Sequence, residues 1–159
     1  MAVLNIHIRR FPGSVTEAGA LLDSLAGEDD RLWPGDRWPP MRFDRPLGVG
    51  AVGGHGPVRY TVEEYEPGRR IRFAFNESRG LEGFHEFSVR PDGNTMVELR
   101  HLLVLRLRGR ARLSWPLAIR WMHDACVEDA FDRAEQAVTG SVRRPVRWSP
   151  VVRALRAAA

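Results

Sequence analysis

From Val58 to Leu107 apolar and aromatic residues alternate with polar ones, and two turn signals, Pro67-Gly68 and Pro91-Asp92-Gly93, cut that run into hairpins. A period of two is the signature of strands with one buried face, so this stretch dictates an antiparallel sheet that something else must cover. The cover follows in the sequence. After Ser114-Trp115-Pro116, with Ser114 as expected N-cap and proline in the first turn, a helical pattern runs to Gly140. Ile119, His123, Cys126, Val127, Ala130, Ala134, Ala137 and Val138 form its apolar stripe, with Asp124, Glu128, Asp132 and Glu135 behind.

The hairpin registers can be read from the same pattern. Setting Val62 opposite Phe73 also sets Tyr60 opposite Phe75 and Glu63 opposite Arg72, which sorts apolar groups to one face and an ion pair to the other. In the second hairpin the parity that matches Phe87 and Val89 to Val97 and Leu99 brings His85 and His101 onto the apolar face. Leu103, Leu105 and Leu107 continue that face, while Arg100, Arg106, Arg108, Arg110 and Arg112 repeat on the other, as on a solvated sheet surface.

Upstream, Leu4, Ile6 and Ile8 alternate with Asn5, His7 and Arg9, the pattern of a half-buried strand with its apolar side inward. Ser14 and Glu17 have capping-box spacing, and Val15, Ala18, Leu21, Leu22 and Leu25 then predict a short helix ending near Gly27. Glu28 to Pro40 reads as an ordered loop carrying Trp33 and Trp38, and Met41 to Leu47 as a strand. Gly48-Val49-Gly50-Ala51-Val52-Gly53 spells the dinucleotide pattern G-x-G-x-x-G, yet His55-Gly56-Pro57 leads into a strand rather than a helix. Without helical amide groups to face a pyrophosphate, a bulged glycine hairpin is expected and no cofactor.

With 159 residues, 43% of them hydrophobic and 28% charged, the chain can bury one core. The single cysteine and the lack of an apolar signal segment in the first ten residues point to a reducing cytoplasm. All 24 basic side chains other than histidine are arginine; five of them, and no acid, follow Gly140, so residues 140–159 hold the basic excess and the body is near neutral. Specific nucleic-acid binding is therefore not expected. The chain divides into a body, 1–139, and an arginine-rich tail, 140–159. The tail reads as loosely docked or disordered, as a contact for an anionic membrane or nucleic acid, or as a partner-docking helix.

The order strand, short helix, antiparallel meander, long C-terminal helix resembles the START-like SRPBCC superfamily, and more narrowly its polyketide cyclase/dehydrase type. Asp36-Arg37-Trp38-Pro39-Pro40, the glycine hairpin, Tyr60 to Arg69, and His123-Asp124-Ala125 to Glu128-Asp129-Ala130 carry the likeness. It implies an α+β helix-grip fold, a curved antiparallel sheet of six or seven strands wrapped around a long C-terminal helix. It also implies a cavity for lipid-like, polyketide-like or other hydrophobic small molecules, with catalysis in some members.

Tyr60, Phe73, Phe75, Phe87 and Leu99 on the sheet, and Met122, His123 and Cys126 on the helix, are then the expected lining; the alternative is that they fill a packed core. His85 and His101, with Glu64 by its parity with Tyr60 and Val62, are the expected acid–base groups of a cyclisation or dehydration. Satisfied core histidines and a solvated Glu64 are the plain alternatives. Cys126 lacks an activating neighbour in the sequence, and His85, His101 and His123 lack metal-ligand spacing, so neither a nucleophile nor a metal is expected. The reading from a different class is an interaction module working through its surface or basic tail.

Overall fold

The computed structural model describes residues 1–76 and 80–158. Its strands are β1 (Ala2–Pro12), β2 (Met41–Phe43), β3 (Val52–His55), β4 (Val58–Glu66), β5 (Arg70–Phe75), β6 (Leu81–Asp92) and β7 (Met96–Leu107). They form one antiparallel sheet in the order β1-β7-β6-β5-β4-β3-β2, so the N-terminal strand lies beside the last one. The helices are α1 (Val15–Asp23), α2 (Ala111–Ser114), α3 (Arg120–Thr139) and α4 (Pro150–Ala157). The main core joins α1, the inner sheet face and the Ala125, Cys126, Ala130, Phe131 and Ala134 side of α3. This is the expected α+β arrangement of a curved sheet gripping a C-terminal helix.

The hairpin registers follow the expectation at Val62↔Phe73 and Tyr60↔Phe75 in the first, and at Phe87↔His101 and Val89↔Leu99 in the second. One pair is corrected. A bulge between Val62 and Glu64 places Glu64, not Glu63, opposite Arg72. The extra residue reverses the parity beyond it, so Tyr65 now packs on the core, and Glu64 lies on the outer face. The capping box of α1 forms as read, with Ser14 Oγ accepting from the Glu17 amide.

β1 is inverted relative to expectation. Leu4, Ile6 and Ile8 are exposed, and Asn5, His7 and Arg9 face α3. There Arg9 donates to Glu128, Asp132 and Glu135, so two faces that each read as solvated are paired with one another. Ser114 is likewise no cap. α2 starts three residues earlier, and the turn Trp115–Ile119 is a π-helix that leads directly into α3. Proline lacks an amide donor and crowds the turn before it, and the wider π turn takes up Pro116 without ending the helix. On α3, Ala137 is exposed, whereas Asp129 and Glu135 are buried.

The tail is docked rather than loose. Val152 of α4 is buried, and Trp148 packs on the main core. Trp148 Nε1 donates to Asp129 Oδ2 at 2.9 Å, as does Trp38 Nε1 at 2.7 Å, while Arg37 Nη1 meets the other oxygen at 2.6 Å. Arg156 lies over the Trp38 ring and donates to the Arg37 carbonyl. In the glycine segment, a Cβ at Gly53 would collide with the Arg42 carbonyl oxygen and one at Gly54 with that of Val58, which is why small residues sit between β2 and β4. The strand expected over Met41 to Leu47 is confined to Met41–Phe43. No described helix is long and apolar enough to cross a membrane.

Candidate functional site

Alternation on β6 and β7 turns His85 and His101 toward α3, where both are buried. His101 Nε2 lies 3.5 Å from His85 Nδ1. The Phe73 ring stacks on His85 with centroids 4.7 Å apart, Tyr60 meets it edge-on at 4.7 Å, and Phe87 meets His101 at 4.6 Å. The file extends at both ends. His55 Nδ1 is 3.0 Å from the Tyr60 hydroxyl, and on the other side His123 lies 5.1 Å from His101 and His7 6.0 Å from His123, between ring centroids. All five histidines of the chain thus share one path across the interior.

Their environments differ. Burial pulls His85 and His101 well below the usual imidazole range, and neighbouring histidines add to it. Burial, with His123 and Arg59 nearby, lowers His55 to about 4. Burial also lowers His123, against an opposing hydrogen bond to Asp124. His7 is the exception: burial lowers it, but hydrogen bonds to Asp124 and Glu128 outweigh that and raise it to about 9. The interior of the file is therefore neutral and its outer end charged.

Neutrality fixes what the inner pair can offer. A neutral imidazole has one N–H and one bare nitrogen, and a bond between His85 Nδ1 and His101 Nε2 uses one of each. The two remaining nitrogens, His85 Nε2 and His101 Nδ1, are then one donor and one acceptor, whichever tautomer is present. Both are buried without a hydrogen-bond partner among the described residues. Leaving such groups unmet costs about 1–3 kcal/mol each.

Of the expected lining, Tyr60, Phe73, Phe87 and Leu99 are fully buried, Cys126 is buried, and Phe75, Met122 and His123 are partly buried. The aromatic rings among them touch one another or the histidines. Glu64 does not join them: it pairs with Arg70 and Arg72 outside, a consequence of the bulge. Burial pushes the Cys126 thiol far up, which leaves it unreactive. An open groove of about 620 Å³ lies where the loop through Asp30 and Trp33 faces β2, lined by Trp33, Met41 and Phe43 and edged by Arg42 and Arg133. The partly buried Phe43 stacks on Phe73 at 5.9 Å with ring planes 11° apart, so one column of rings joins the groove to His85.

Sequence reading gave no role to His55, His7 or Phe43. The pairing His55↔Val58 beside Tyr60 was the available signal for the first; the other two depend on contacts between distant segments.

Solved structures share this architecture. CalU16 from Micromonospora echinospora superposes with a TM-score of 0.56 at 18% identity, covering 99% of this chain and 83% of that one. Norcoclaurine synthase from Thalictrum flavum, in complex with dopamine and hydroxybenzaldehyde, gives 0.64 at 12% identity over 86% of each chain. The di-domain ARO/CYC StfQ from the steffimycin biosynthetic pathway gives 0.63 at 14%, over 87% of this chain and 51% of that one. The fold is the helix-grip fold. No family model matches the chain, and no curated protein matches it either.

The buried histidines make the stability of the fold depend on acid. A histidine lowered by folding contributes stability that is present above its unfolded value, near 6.5, and lost as pH falls toward its folded value. For His55, moving from 6.5 to about 4, that loss amounts to as much as ~3 kcal/mol. Urea unfolding at a series of pH values should show the stability gap between the protein and His55→Gln changing across this window. A gap independent of pH contradicts the assignment.

Proposed function

We propose that the protein binds a hydrophobic small molecule, lipid-like or polyketide-like, between the sheet and α3. The observation that carries this reading is the pair of unpartnered nitrogens on His85 and His101 at the centre of an otherwise aromatic interior. A ligand carbonyl, hydroxyl or phenol meets both needs at once, since it can accept from one ring and donate to the other. Phe43, at the mouth and only partly buried, is the ring that turns aside to admit the guest toward Phe73 and His85. The solved neighbours support the reading to the extent that one of them holds two small aromatic molecules and another is an ARO/CYC protein.

The same pair suits cyclisation or dehydration. One neutral imidazole removes a proton next to a carbonyl while the other delivers a proton to the departing or newly formed oxygen; a proton passed between them across 3.5 Å leaves both rings neutral with their tautomers exchanged, and exchange of the outward proton with water after product release resets the pair. Replacing either histidine by phenylalanine is then expected to remove turnover of a polyketide-like substrate while weakening its binding only by the loss of one hydrogen bond, about tenfold. Equal loss of both marks a binding role alone.

Binding is tested with 8-anilinonaphthalene-1-sulfonate as the apolar probe. Its fluorescence, fed by transfer from Trp33, should saturate at one equivalent, and Phe43→Arg should weaken binding by about tenfold or more. An unsaturable titration, or one that Phe43→Arg leaves unchanged, contradicts the proposal.

A further inference from the structure

His7 on β1 and the consecutive pair His123 and Asp124 on α3 converge at the outer end of the histidine file. Asp124 Oδ1 lies 3.2 Å from His7 Nε2 and 3.3 Å from His123 Nδ1, and one ligand atom from each of the three residues falls within 4.8 Å of the other two. A zinc ion with bonds of about 2.0–2.1 Å and tetrahedral angles holds neighbouring ligand atoms about 3.4 Å apart. Two of the three spacings already match. We propose that His7, His123 and Asp124 form a binding site for a divalent transition-metal ion, zinc foremost, independent of the ligand-binding reading above.

Three further features fit an ion better than a plain ion pair. His7 Nδ1 donates to Glu128 Oε1 at 2.6 Å, which commits that nitrogen and turns Nε2 toward Asp124 and His123. A carboxylate on the far nitrogen of a metal-bound histidine is the usual way its ring is aimed and its basicity raised. Glu128 is in turn held by Arg9. Asp124 Oδ2 has Arg120 at 3.6 Å, so the aspartate keeps Oδ1 for the histidines; Asn5 Nδ2 also reaches Oδ1, at 2.9 Å. The Asn5 Oδ1 is buried with no donor among the described residues, and a water on the ion supplies one.

Imidazole and carboxylate are borderline and hard donors that suit zinc and its first-row neighbours. Three protein ligands leave a coordination position for water, and all three side chains retain some exposure through which an ion can arrive from solvent.

The test uses the full untagged chain, stripped with EDTA and titrated calorimetrically with Zn²⁺, with visible absorption of a Co²⁺ adduct as a second readout. One equivalent should bind. Because His7 also ties β1 to α3, the deciding variant is His123→Ala, checked for an unchanged circular dichroism spectrum; it should weaken binding by more than Glu128→Gln does. Glu128→Gln, which removes the charge behind His7 and leaves a side-chain carbonyl for Arg9, should weaken it by about 10- to 100-fold. Absence of Zn²⁺ binding overturns the proposal, and so does binding that His123→Ala and Asp124→Asn leave at full strength.

Discussion

Replacing Arg9 by alanine is expected to lower the free energy of unfolding by about 3 kcal/mol, the lower end of the cost of breaking a buried ion pair from one side, since Glu135 is buried while Arg9 and its other two partners keep some exposure. Its guanidinium spans three carboxylates on successive turns of α3, at 2.8 Å from Glu128, 2.9 Å from Asp132 and 2.8 Å from Glu135. Glu135 is 2% exposed, so once Arg9 is gone it cannot recover hydration. Asp124, Glu128, Asp132 and Glu135 would then crowd one flank of α3 with that cation missing. Arg9→Lys keeps the charge but not the planar fork, and should recover only part of the loss. Urea denaturation of the three proteins measures it, and a loss under about 1 kcal/mol for Arg9→Ala would mean that the cluster is solvated and screened.

Asp129→Ala is expected to cost about 3 kcal/mol, since hydrogen bonds to a charged acceptor each contribute about 1.5–3 kcal/mol and do not add fully. Asp129 is 1% exposed and accepts from Arg37, Trp38 and Trp148, joining the loop before β2, helix α3 and the segment that carries α4. Without the carboxylate two indole N–H groups lose their acceptor, and the hold on the tail falls to the packing of Trp148 and Val152, the Arg156 contacts and the Val146 amide bond to Asp132. Limited proteolysis after Thr139 should therefore accelerate along with the fall in stability. Asp129→Asn should lose stability as well, because its amide presents N–H groups to donors. A variant as stable and as resistant to cleavage as the parent contradicts this account of the tail.

These two residues also show where sequence reading stops. The inner sheet face was legible because strand parity propagates from the turns: once Phe73 faces Val62, and Phe87 shares the face of Val97 and Leu99, the inward positions of His85 and His101 are fixed. Parity carries only as far as the next irregularity, and the single extra residue at the Val62/Glu64 bulge sends Glu64 outside. Arg9 and Asp129 are harder. Polar residues alternating on β1 and acids along one flank of α3 each have the pattern of a wetted face, and that the two faces meet depends on charge complementarity between segments more than a hundred residues apart. The docking of α4 was hidden for the same reason, since Trp148 finds its acceptor on a helix flank whose acids all read alike. His7 meets His123 and Asp124 only because that strand is inverted, an orientation that alternation along β1 does not encode.

In the proposed ligand-bound protein, His85 and His101 offer one neutral donor and one neutral acceptor. Nitrogen spectra of the ¹⁵N-labelled imidazoles at about pH 6 address it most directly, because they report charge and tautomer ring by ring. His85 and His101 should both be uncharged, with a proton on the outward nitrogen of one ring and none on that of the other, and both should shift when 8-anilinonaphthalene-1-sulfonate saturates the protein. Charged rings, or spectra that the saturating probe leaves in place, would contradict this assignment.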